Sequence, residues 1–143
     1  ETKRWPLDQA AQLARQLEAE GYEPVFLGGP GDAAPEGFRA QLGSSPSEED
    51  ALWRSARAAV VCDSAAQHLA YRYQVPAIAL WAGTHPVGGF AAPSPVRHLP
   101  DSERISCQPC SILGADSCRR GDWACRQKIQ AEAVREALRA LGV

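Results

Sequence analysis

The sequence predicts an α/β domain in which a parallel sheet carries helices on both faces. Three observations predict it. Short apolar runs alternate along the chain with segments of helical periodicity. The runs are apolar throughout rather than alternating with polar residues, as in strands covered on both sides. Each run also ends on glycine, or on an acid and a hydroxyl, facing the start of the next segment. Such junctions form the ligand crevice of open α/β sheets.

The elements follow in order. Residues 6–20, PLDQAAQLARQLEAE, space Leu7, Ala11, Ala14 and Leu17 as one helical face. Pro6 suits the first turn, and Gly21 the C-terminal cap. YEPVFLGG then reads as a buried strand ending at Gly28 and Gly29. Residues 30–46 are rich in Gly, Pro, Ala and Ser and read as a loop, with one short helix near Phe38 to Leu42. Ser47 followed by Asp50 suggests a capping box opening a helix through Trp53. AAVVCD is the second strand, SAAQHLAYRYQ a helix with Ala66, Leu69, Ala70 and Tyr73 on one side, and PAIALWAG the third strand. Residues 84–95 hold too many Gly and Pro for regular structure. A cysteine-rich segment, 104–126, precedes a final helix on Ile129, Ala133, Val134, Ala137, Leu138 and Leu141. Three strands make a thin sheet, and a further strand before Lys3 would complete the unit. The absence of an initial Met, with a helix beginning almost at once, suggests a piece of a longer protein.

With 143 residues the chain has the length of one domain, 1–143, able to bury one core. A net charge of -2 gives no basic footprint for nucleic acid, and no apolar run is long enough for a transmembrane segment. Trp5, Trp53 and Trp81 fall on core-facing patterns.

The chemistry gathers at the strand ends: Gly28 and Gly29, then Asp63 and Ser64, then Gly83 and Thr84. Backbone N–H groups opening the helix after Asp63 suit a phosphate, and the Ser64 hydroxyl adds a donor. Alternatively, Asp63 or Ser64 merely caps that helix. His68 faces the crevice or packs beside the sheet, and Lys3 reaches a phosphate or is simply solvated. GGPGD lacks the G-x-G-x-x-G spacing of a dinucleotide fingerprint.

Of the five cysteines, Cys62 stands alone in an apolar run and reads as a small buried hydrophobe. Cys107, Cys110, Cys118 and Cys125 form a C-x2-C-x7-C-x6-C pattern. That pattern fits a tetrahedral site for structural Zn or Fe, free thiols, or local disulfides.

KRWP opening a helix, the Gly-Gly strand end, DSAAQHLAYRYQVPAIALWAGTHP and then CQPC resemble the C-terminal half of family 9 glycosyltransferases, the heptosyltransferases and their relatives. The resemblance implies one half of a GT-B fold, binding a nucleotide-sugar donor of the ADP-heptose type (or UDP-linked). It implies inverting transfer with no catalytic metal, in lipopolysaccharide or related glycan assembly. It places the protein in the cytoplasm, at or near the inner membrane. Lys3 matches a lysine on the donor phosphate. Asp63, Ser64 and Ala65 match an Asp-Ser/Thr-Gly turn at the sugar and diphosphate. His68 matches the motif histidine, and Thr84 the threonine after the next strand. Ala65 stands where glycine is usual, and a position needing positive φ would strain it. The acceptor site and catalytic base belong to an N-terminal domain that this sequence does not include, so the chain alone is expected to bind donor and not to transfer sugar. The competing reading is a non-catalytic metal-binding or interaction module on the same fold.

Overall fold

The computed structural model describes residues 2–99 and 105–143. Helix α1 (Leu7–Ala19) buries Ala11, Leu13 and Ala14, while Leu7, expected on that face, is largely exposed. Gly21, at φ +87°, ends the helix, and the Tyr22 N–H returns to the Leu17 carbonyl to satisfy its last turn. Strand β1 (Val25–Gly28) pairs in parallel with β2 (Arg39–Leu42), in the register Val25 with Arg39 and Gly28 with Leu42. The short helix expected near Phe38 to Leu42 is therefore this strand. Nothing local in RAQL demands extension; pairing with β1 supplies the backbone partners that decide it.

Helix α2 (Pro46–Ser55) has its cap two residues before the expected one. Ser45 caps it, and Ser45 with Glu48, rather than Ser47 with Asp50, forms the capping box. A second parallel ladder runs β3 (Ala59–Cys62), β4 (Ala77–Leu80), β5 (Val96–Leu99). With five strands among the described residues, the three-strand expectation was short by β2 and β5. The 84–95 stretch also contains a 3-10 turn at Pro86–Gly88.

All four residues of β4 are buried, which makes it the spine of the domain. Ile78 and Leu80 join Leu13, Val134, Leu138 and Ile129 on one face, where α1 and α5 (Ala131–Arg139) pack. Ala77 and Ala79 join Trp53, Ala70 and Val75 on the other face, under α2 and α3 (Ala65–Tyr73). This alternation puts both sheet faces under helices, as the apolar runs require. Trp53 and Trp81 are core residues, and the half-buried Trp5 donates its indole N–H to the Ile129 carbonyl at 2.7 Å. On α5 the apolar stripe uses Ala131 in place of the expected Ala133, which is exposed. Of the expected 104–126 segment, residue 104 lies outside the described residues. From Ile105 onward it is irregular until α4 (Ala124–Gln127).

Candidate functional site: the crest of the sheet

The strand C-termini form a crest, and three consecutive residues stitch it together. Thr2, 2% exposed, reaches the end of β4: its carbonyl accepts the Gly83 N–H at 2.9 Å. Lys3 reaches the end of β3, its Nζ 2.9 Å from Asp63 Oδ2. Arg4 reaches the turn after β1, donating to Asp32 Oδ1 at 2.6 Å, while Asp32 Oδ2 accepts the Gly29 N–H at 2.8 Å. Both contacts at the outer ends of this strap need glycine. A Cβ on Gly83 would lie 2.8 Å from Thr2 Cβ, and one on Gly28 the same distance from Asp32 Cβ.

Asp63 is buried, and both its carboxylate oxygens are engaged. Oδ2 takes the Lys3 ammonium and Oδ1 the Gln67 side-chain amide at 3.0 Å. Gln67, 1% exposed, is fixed in turn because its Oε1 accepts the Ala92 N–H at 3.0 Å. A buried carboxylate is tolerable only when so paired. The arrangement fixes the Lys3 ammonium at the crest, with the lysine side chain about a third exposed.

Ser64 is the N-cap of α3. Its Oγ accepts the Ala66 N–H at 3.3 Å and donates to the Cys62 carbonyl at 3.3 Å. The capping reading thus holds for Ser64, an exposed residue at the helix N-terminus. Ala65 is the first residue of α3, in right-handed helical conformation, so alanine in place of glycine brings no backbone strain. His68 is exposed one turn into α3. Thr84 is different: it is fully buried, and its hydroxyl has no partner among the described residues. Its carbonyl accepts from Gln108 Nε2 at 3.1 Å, as does that of Trp81. Lys3, Asp63, Ser64 and the glycine turn after β1 therefore come together around the strap, and Thr84 lies sealed beneath.

Sequence reasoning missed Thr2, Arg4, Asp32 and Gln67. Only Gln67 left a signal: it stands four residues after Asp63, the spacing at which side chains meet on a helix.

The cysteine segment lies over the same crest. The Cys110 N–H donates to the Gly83 carbonyl at 2.8 Å, and the Ala115 N–H to Thr2 Oγ1 at 2.8 Å. The Cys118 thiol is held below its ordinary range, chiefly by the Trp123 N–H and also by those of Arg120 and Gly121. Burial, and then the neighbouring thiols, pushes Cys110 and Cys125 up. Cys62 is half-buried, and burial raises its thiol too, in keeping with a packing role. Among the described residues, no group of three or more His, Cys, Asp or Glu side chains is placed so that it could hold a metal ion. No described helix is long and apolar enough to cross a membrane.

Residues 1–111 match the family described as glycosyltransferase family 9 (heptosyltransferase). No curated protein matches the chain. The crystal structure of the glycosyl transferase family 9 from Veillonella parvula DSM 2008 is similar in fold, with a TM-score of 0.72 at 22% identity over 98% of this chain. The chain spans 42% of the length of that protein. The α/β architecture is thus one found within GT-B glycosyltransferases, and the match over most of the sequence makes this chain a member of glycosyltransferase family 9.

Proposed function

We propose that the crest holds the diphosphate of a nucleotide-sugar donor, and that the chain is the donor half of an inverting glycosyltransferase. The Lys3–Asp63 pair at the N-terminus of α3 is the observation that carries this reading. A departing nucleoside diphosphate carries the charge that must be stabilised in sugar transfer. Lys3 and the α3 N-terminus supply positive potential at one point without a catalytic metal, and the Ser64 hydroxyl adds a donor once it turns from the Cys62 carbonyl. Asp63 is a positioning residue: its fixed carboxylate keeps the lysine from swinging into solvent. Gly28 and Gly29 let the neighbouring turn close around the Asp32 side chain that holds Arg4, and Ala65 and His68 flank the sugar end. Thr84 joins only when the turn after β4 shifts, which its unpartnered hydroxyl favours. The nucleobase lies toward the 43–48 loop, beside a groove of about 320 Å³ between α2 and α3 lined by Pro46, Trp53 and Tyr73.

Within this reading the donor is of the ADP-heptose type, with a UDP-linked sugar as the alternative. The acceptor and catalytic base come from an N-terminal domain, and the whole enzyme works in the cytoplasm, at the inner membrane, in lipopolysaccharide or related glycan assembly.

Calorimetric titration with ADP, UDP and GDP tests the proposal. Selective binding of one diphosphate is expected. Lys3→Ala should weaken it about 10- to 100-fold, the usual worth of a hydrogen bond to a charged group. Asp63→Asn should weaken it less, by freeing the lysine. Unchanged affinity in Lys3→Ala, or no binding of any diphosphate, would overturn it.

A further inference from the structure

We propose that Gln67 is a positioning residue for the crest: buried out of reach of any ligand, it fixes the Asp63 carboxylate and, through it, the Lys3 ammonium. The purpose of that pair rests on the diphosphate reading; its geometry does not. Gln67 lies on α3 and is 1% exposed, among the largest fully buried side chains together with Trp81, Ile78 and Leu80. An amide in such a place is costly unless both its ends are paired. Its Nε2 donates to Asp63 Oδ1 at 3.0 Å, and its Oε1 accepts the Ala92 N–H at 3.0 Å. Packing alone asks only for an apolar side chain of that volume, so the amide answers to those two partners.

The partners also fix which way round the amide sits. A backbone N–H only donates, so Ala92 takes the oxygen end and leaves the nitrogen end for Asp63. Lys3 is likewise a donor only. Asp63 therefore meets a donor at each oxygen, Gln67 at Oδ1 and Lys3 at Oδ2. With Oδ1 held, the carboxylate is kept from turning, and Oδ2 stays 2.9 Å from the Lys3 Nζ.

Ala92 is itself held. It is 2% exposed, and its carbonyl accepts from His98 Nε2 at 2.9 Å. The Trp81 indole, another donor only, takes His98 Nδ1 at 3.0 Å, which leaves the imidazole proton on Nε2 for Ala92. Trp81 is buried just past the end of β4. A chain of hydrogen bonds thus runs from Trp81 through His98, Ala92 and Gln67 to Asp63, with every direction set by groups that can only donate. The lysine at the crest is positioned against the core by residues that never meet the ligand.

Two variants pull Lys3 in opposite directions. Gln67→Met keeps the volume and removes the donor to Asp63, so the pair loosens. Gln67→Glu keeps the acceptor for the Ala92 N–H but turns a second carboxylate toward Asp63; like charges repel, and the Lys3 ammonium is drawn in to offset them. The first readout is the acetylation rate of Lys3 relative to Lys128, the chain's other lysine, followed by mass spectrometry at about pH 8, above the ordinary carboxyl range. Compared with the wild type, Lys3 should react faster in Gln67→Met and slower in Gln67→Glu. The second readout is calorimetric titration with ADP, UDP and GDP. Both variants should bind the preferred diphosphate about 3- to 10-fold more weakly, the usual worth of one intramolecular hydrogen bond. Wild-type acetylation rates in both variants, a shift of the same sign in both, as general loosening would give, or full diphosphate affinity in both would overturn the proposal. Opposite shifts in a protein that binds no diphosphate would uphold the positioning by Gln67 and overturn the donor reading instead. If Gln67→Met fails to fold, Gln67→Glu decides alone, because a slower Lys3 is a result that loosening cannot produce.

Discussion

Strand β4 and the cysteine segment meet at Gly83, yet they are held by different physics. In β4 every residue is buried, with Ile78 and Leu80 feeding one core cluster and Ala77 and Ala79 the other. From Ile105 to Trp123 the cysteine segment has one buried residue and hangs on polar tethers: Gln108 to the Trp81 and Thr84 carbonyls, Cys110 to Gly83, Ala115 to Thr2. Apolar burial acts without direction and is written into the sequence as pattern. Hydrogen-bond tethers depend on positions that folding alone creates. The crest joins the two regimes, because Gly83 and Thr84 follow closely on the buried spine while the strap is gripped by the polar segment.

The contrast can be broken most severely on the β4 side. Ile78→Ala removes a fully buried side chain between two helices and the sheet and should cost about 2–5 kcal/mol. Urea titration should show a lower midpoint with an unchanged slope. A loss below about 1 kcal/mol would mean that β4 is not the spine.

A smaller effect is expected on the other side. Gly114 lies at φ +93°, and a Cβ there would come within 2.9 Å of Lys3 Cε. Gly114→Ala should cost about 1–3 kcal/mol. Most of that loss should appear as loosening of the segment and strap, read as faster hydrogen exchange at Thr2, Lys3 and Ala115 while β4 amides stay protected. Uniform acceleration across both regions would erase the distinction.

The smallest effect sharpens the comparison away from the crest. Glu20, after α1, takes the Arg135 and Arg139 guanidinium groups of α5. The hydrogen bond from Arg135 lowers its carboxyl from the ordinary 4.5 to about 2. A carboxyl whose folded pKa lies below its unfolded one stabilises fully above the unfolded value and loses that contribution as pH falls through the folded value. Thermal melts should therefore show the wild type ahead of Glu20→Gln above about pH 4.5, with the gap closing between there and about pH 2. A gap independent of pH would place the effect in packing rather than charge.

The legibility of each region follows from the same physics. The β1, β3 and β4 strands and the α1, α3 and α5 helices were readable because each carries an apolar run or stripe. β2 and β5 were not. RAQL and VRHL become strands by lying beside β1 and β4, and β5 is further tied through His98, which accepts the Trp81 indole N–H at 3.0 Å. The capping box was found in kind but misplaced, because SSPSEED offers serine and acid at more than one register. Lys3, Asp63 and Ser64 were visible as chemistry at a strand–helix junction.

What the sequence by itself determined is the α/β class and the covered parallel strands, since burial on both sheet faces and helix periodicity are properties of consecutive residues. Only the tertiary structure decided that Asp63 is buried between Lys3 and Gln67, that Thr84 is sealed, and that Thr2, Lys3 and Arg4 fasten the ends of three strands. Those facts rest on contacts between residues far apart in the chain, and such contacts exist only once the sheet brings its ends to one edge.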